Sequence, residues 1–264
     1  MIRSITRVLV ILVAALVLSA ASKDKLAASE DQAAPEGMVL IRGGDFWMGC
    51  SPGDKACDTD ESPRHQVKLK PFYMDIYETT QAGYEKVMGT NPSKFDKCTD
   101  CPVERVTWTE AQAFCAKTGK RLPTEAEFEF AARGGSGSVR SGSIEALAWF
   151  AGDSLNEIHP VGSKKPNSLG LYDILGNVQE WCSDWYDKKY YETSPAADPK
   201  GPDAGTARVL RGGAFSFDGA SVRASAREWY APDGRMMYSG FRCAMDADGV
   251  KSTPSRDKPT GETQ

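Results

Sequence analysis

The stretch Leu171 to Tyr186, LYDILGNVQEWCSDWY, constrains this chain more than any other. It joins a Gly176-Asn177 turn to two core-type aromatics, Trp181 and Trp185, and to the acids Asp173, Glu180 and Asp184, with Asp187 just beyond. The aromatics can anchor the segment in a core. The turn can aim carboxylate and carbonyl oxygens at one point, as a hard cation such as calcium requires. The plainer reading is a turn between two elements with its acids in water.

The chain has 264 residues and a net charge of −4. A mildly acidic chain without a basic stripe is a poor nucleic-acid binder. With 25 Gly, 15 Pro and 41% hydrophobic residues, a globular but loop-rich fold is expected.

Residues 1–21 read as a signal peptide. Arg3 and Arg7 form a positive start, Val8 to Leu18 an apolar run, and small residues follow at Ser19 to Ala21. The run is shorter than a membrane span needs, so no stable span is expected after signal removal. No cysteine follows it, which argues against a lipoprotein. The expected destination is periplasmic or secreted. Residues 22–36 read as a flexible linker, 37–247 as one folded domain, and 248–264 as a disordered tail.

Export permits disulfides among the seven cysteines, and the odd number leaves at least one thiol outside intrachain pairs. Cys98 and Cys101 form a C-x-x-C. Zinc would require a second such pair or histidines nearby, and the chain has only His65 and His159. A thioredoxin-type motif would open a helix, whereas Pro102-Val103 follows. A loop disulfide is the better reading, and Cys50–Cys57 is expected to close another.

Met38 to Gly49 reads as two strands with a bend at Gly43-Gly44, and Gln66 to Tyr77 as one strand. Thr79 or Thr80 caps a helix that Gly89 ends. Thr107/Glu110 and Thr124/Glu127 are capping boxes opening two short amphipathic helices. The second buries Phe128, Ala131 and Ala132 on its inner face. Gly134 to Ser143 is glycine-rich but lacks the G-K-[ST] of a phosphate loop. His159 has no acid or nucleophile partner in sequence and reads as structural. Arg208 to Phe217 returns to strand character.

Six fragments together resemble the formylglycine-generating enzyme family, also called the sulfatase-modifying-factor family. They are GGDFWMG (43–49), GKRLPTEAEFEFAARGG (119–135), HPVG (159–162), GLYDILGNVQEWCSDWY (170–186), RVLRGG (208–213) and GFRCA (240–244). They occur in the family's order and span nearly all of the chain after the linker. The resemblance implies an α+β, C-type-lectin-like single domain with little regular secondary structure.

It also implies a structural calcium held by the side chains of Asp173 and Glu180 and the main-chain carbonyls of Gly176 and Val178. It implies a disulfide between Cys115 and Cys243, tying the helix opened by Thr107 to the last strand. Cys182 is then the odd thiol.

The family's oxidases bind copper(I) through two cysteines after the RGGS-type segment and convert a substrate cysteine to formylglycine. Here those positions fall on Phe217 and Val222, and the neighbouring serine on Ala214. No cysteine occurs between Cys182 and Cys243. Neither replacement can ligate a soft metal, so copper is not expected.

Three readings of function follow. The first is an exported non-oxidase binding or accessory module, whose partner is an exported protein (a sulfatase or biosynthetic enzyme among the candidates) or a small molecule. Its candidate ligand-binding surface is Phe217, Arg223, Arg227, Trp229, Tyr230, Arg235 and Tyr238, because aromatics and arginines concentrate at binding hot spots. The second is a formylglycine-generating oxidase that activates sulfatases. The third is an enzyme of different chemistry in metabolite or protein maturation, drawing its acid–base groups from Asp218, Glu228 or Asp233.

Overall fold

Thr80, Thr107 and Thr124 each leave the extended region at a helix start and accept a hydrogen bond from the backbone N–H three residues on. Each hydroxyl satisfies one of the amides a helix leaves unpaired at its N-terminus. The computed structural model describes residues 34–134, 139 and 142–248. The signal segment, most of the linker, the tail beyond Asp248 and most of the glycine-rich loop lie outside the described residues.

Among the described residues, the three helices so opened are α1 (Gln81–Met88), α2 (Trp108–Lys117) and α3 (Glu125–Ala132), followed by a single turn, α4 (Ile144–Leu147). Gly89 closes α1 in the left-handed region at φ 80°, and both predicted capping boxes form. Helix α3 departs from the amphipathic expectation, because all eight of its residues are buried. Its acids are tolerated inside because each meets a guanidinium: Glu125 meets Arg227, Glu127 meets Arg121, and Glu129 meets Arg133 and Arg211.

Among the described residues, nine short strands make three sheets. β1 (Met38–Ile41) and β9 (Ala244–Asp246) flank β4 (Phe72–Asp75), both antiparallel to it. β2 (Gly44–Met48) pairs with β3 (His65–Leu69). The third sheet runs β7 (Arg227–Tyr230), β6 (Arg208–Arg211), β5 (Gln179–Trp185), β8 (Ser239–Gly240), with β5 and β8 parallel. Gly43 sits at φ 61°, where a Cβ would lie 2.4 Å from the carbonyl oxygen of Leu69, so the bend between β1 and β2 requires glycine.

The strand expected over 66–77 is in fact two, β3 and β4, divided at Lys70-Pro71 and belonging to different sheets. Proline has no N–H for a ladder, and the alternation slips there, from Leu69 to Phe72.

One core cluster gathers Ile41, Phe72, Phe128, Leu171 and Val209; a second gathers Tyr84, Phe114, Trp181 and Phe241. Trp181 is fully buried, and its indole N–H donates to the Val106 carbonyl at 3.0 Å. Cys50–Cys57, Cys98–Cys101 and Cys115–Cys243 are disulfides, and Cys182 is a buried free thiol. The third bridge ties α2 to the residue that enters β9.

Candidate functional site

The turn before β5 is built from left-handed residues, Asp173 at φ 50°, Gly176 at 81° and Asn177 at 53°. At Gly176 a Cβ would lie 2.4 Å from the Trp149 carbonyl oxygen. Main-chain bonds hold the turn: Gly176 N–H to Gly212 O at 2.9 Å and Asn177 N–H to Trp149 O at 2.8 Å. The Asn177 amide donates to Glu78 Oε2 at 2.7 Å and to the His159 carbonyl at 3.1 Å, and accepts from the His159 N–H at 3.0 Å. His159 is structural in this setting. Its ring stacks on Trp149 at 3.7 Å between centroids, and its Nε2 lies 2.9 Å from the Ser154 carbonyl.

Three buried carboxylates lie near enough to repel one another, without converging on a single point. Asp173 Oδ2 accepts from the Gly162 N–H at 2.7 Å, while Asp173 Oδ1 is buried with no hydrogen-bond partner. Glu180 receives Arg242 through Nε at 2.9–3.0 Å and Nη2 at 2.9 Å. Glu78, which the sequence reading missed, accepts the Val178 N–H at 3.0 Å. Burial, then repulsion from Asp173 and Glu180, pushes the Glu78 carboxyl well above its ordinary range. Burial also raises Asp173 and Glu180, against the pull of Arg242.

The unpartnered Asp173 Oδ1 is one oxygen that a cation could take here. Among the described residues no three His, Cys, Asp or Glu side chains converge as a metal cluster. A calcium ion here would therefore draw on main-chain carbonyls as well, in keeping with its taste for oxygen ligands of both kinds.

The C-terminal segment is the second locus. β6 ends at Gly212-Gly213, both at positive φ, and the chain then carries Ala214 and Phe215 into the core. Val222 is fully buried, and a Cβ on Gly213 would meet its Cγ2 at 2.9 Å. Phe217 is half-buried against Tyr238, at 5.5 Å between centroids. Trp229 and Tyr230 stand out on β7, 53% and 44% exposed. Arg235 is a surface residue that donates to Arg105 O at 2.9 Å and Glu110 Oε1 at 2.5 Å.

Arg223 and Arg227 are not on that surface, which corrects their grouping with it. Arg223 is 3% exposed and grips Glu61 with two bonds of 2.7 and 2.8 Å. Arg227 is 6% exposed and grips Glu125 at 2.6 and 2.9 Å. The carboxylate partners lie 162 and 102 residues away in sequence, so no local pattern reveals them. Of the candidate acids, Asp218 is held below its ordinary range by the N–H and hydroxyl of Ser221.

Six of the seven cysteines are in disulfides, and the seventh, Cys182, is fully buried with its thiol pushed well up by burial. A separate cleft of about 550 Å³ lies between α2 and β9, lined by Trp108, Lys120, Arg121, Glu127 and Asp246 among others. None of the site residues expected from sequence lines it.

The model of the sulfatase-modifying factor enzyme 1-like domain matches residues 23–247. A formylglycine-generating enzyme of Streptomyces coelicolor is 33% identical, across 80% of this chain and 90% of the relative. Treponema denticola variable protein 1 superposes with a TM-score of 0.72 at 30% identity, covering 79% of this chain and 94% of that one. PvdO from Pseudomonas aeruginosa gives 0.72 at 29% identity with the same coverage. The few helices and several small sheets are thus the C-type-lectin-like fold that the six fragments imply. Six motifs in order, the architecture they build and these matches make this chain a member of the sulfatase-modifying-factor family, to which the formylglycine-generating enzymes belong.

Proposed function

We propose that this protein is an exported, non-oxidase member of its family, a binding or accessory module with calcium as a structural ion. The thiol inventory carries the reading. A two-thiolate copper(I) site needs two free cysteines, and the pairing in this fold leaves one, enclosed in the core. Phe217 and Val222, at the positions where the family's oxidases carry those thiolates, supply a benzyl and an isopropyl group. Three disulfides support export, since such bonds persist in oxidising compartments. Among the described residues no helix is long and apolar enough to cross a membrane.

The binding surface in this reading is Trp229, Tyr230, Tyr238, Phe217 and Arg235. For calcium, Asp173 and Glu180 would contribute side chains, and Gly176 and Val178 carbonyls. The ion would take up the unpartnered Asp173 oxygen and fix the turn that leads into β5.

Incubation with copper(I), oxygen and a Cys-x-Pro-x-Arg peptide tests the oxidase question directly. The expected result is an unchanged peptide mass. Conversion of the cysteine to the aldehyde would sink the non-oxidase reading.

A further inference from the structure

β7 is an edge strand. It pairs with β6 on one side and with no strand on the other among the described residues. Such an edge offers unused N–H and C=O groups to an extended segment.

The aromatic side chains on this edge are already set in place. Trp229 stacks on Tyr186 at 5.4 Å and 22°, and Tyr186 is pinned by its hydroxyl, which donates to Asp60 Oδ2 at 2.8 Å. Tyr230 lies across the turn that follows β7, so close that a Cβ on Gly234 would fall 2.1 Å from its ring. Exposed rings that need no ordering on contact lose little entropy when they bind.

Exposed carboxylates stand beside them. Glu228 and Asp58 are exposed, and neither forms an ion pair among the described residues. Partial burial of the Glu228 carboxyl, then repulsion from Asp58 and Asp60, holds it above its ordinary range. The nearby guanidinium groups of Arg223 and Arg227 are committed to Glu61 and Asp54 and to Glu125. The strip therefore combines π faces with uncompensated carboxylates. Glu228 and Tyr230, two residues apart, share one face of the strand, so a lysine or arginine side chain there meets a carboxylate and a π face together.

We infer that the free edge of β7, with Trp229, Tyr230, Glu228 and Asp58, docks an extended polypeptide segment bearing lysine or arginine. This rests on the binding-module reading and adds the chemistry of the partner.

Display selection of randomised dodecapeptides on the purified protein tests it. Recovered sequences are expected to be enriched in Lys and Arg at alternate positions. Individual peptides should bind at least tenfold more weakly to Trp229→Ala and at least threefold more weakly to Glu228→Gln/Asp58→Asn. They should also weaken severalfold between 50 and 300 mM salt. Both variants are at exposed positions, and matching melting temperatures would establish that they fold. Recovery of no binders, of acidic or uncharged binders, or of binders indifferent to both variants overturns the inference. None of those outcomes touches the copper and peptide test, so the non-oxidase reading stands or falls separately.

Discussion

Arg242 closes on Glu180 through three nitrogen–oxygen contacts of 2.9–3.0 Å, and neither side chain reaches solvent. The same guanidinium donates to the carbonyls of Asp75, Ile76 and Tyr172, so one residue joins the end of β4 to the turn before β5. Removing one partner of a buried pair strands the other. Arg242→Met is therefore expected to cost about 3–5 kcal/mol. Urea unfolding would measure it, and a loss below about 1 kcal/mol would show that the pair is dispensable.

Calcium should raise the melting midpoint of the wild type, because an ion bound only by the folded state stabilises by mass action. Asp173→Ala removes the unused buried oxygen and should abolish the increment. A chelator that leaves the wild-type midpoint unmoved would rule out a structural ion.

Loop length separates the disulfides. In the chain-entropy model, the Cys115–Cys243 bridge, 128 residues apart, stabilises by about 5 kcal/mol and Cys98–Cys101, three apart, by about 2. Paired Cys→Ala variants compared by denaturant midpoint should show the larger loss at the long bridge. Thiol titration without reductant should find no reactive thiol in the native protein and one after denaturation, that of Cys182.

Asp184 gives stability a pH slope. Burial first, then repulsion from Glu125, pushes its carboxyl from 3.8 up to about 7. Between those values the unfolded chain has released a proton that the folded one keeps, so this group makes folding less favourable as pH rises and adds no further change above about 7. By linkage the loss is at most roughly 4 kcal/mol. Asp184→Asn can still accept from the Glu125 N–H, now at 3.0 Å. The variant should match the wild type near pH 4 and exceed it progressively up to pH 7.5. Parallel stability curves would refute the assignment.

Caps and bends were readable in the sequence because their physics is local. A threonine hydroxyl and a glutamate three residues on complete a capping box by themselves, as at Thr107/Glu110 and Thr124/Glu127. Burial of charge is not local. Arg223 and Arg227 have the composition of a binding surface, and only contact with Glu61 and Glu125 puts them inside. Glu78 joins the turn around Asp173 by the same kind of distant contact, with no signal in its own neighbourhood. The Leu69 to Phe72 slip, by contrast, was visible, and Pro71 explains it.

The β1–β4–β9 ladder has a mechanical consequence. Met38, the start of β1, lies beside Asp75 at one end of β4, while Asp246, the end of β9, lies beside Phe72 at the other. Tension applied across the domain's two ends would pull these outer strands in opposite directions along their lengths, loading the rungs together in shear instead of peeling them one at a time. A tethered copy should resist stretching better than the shortness of its strands suggests.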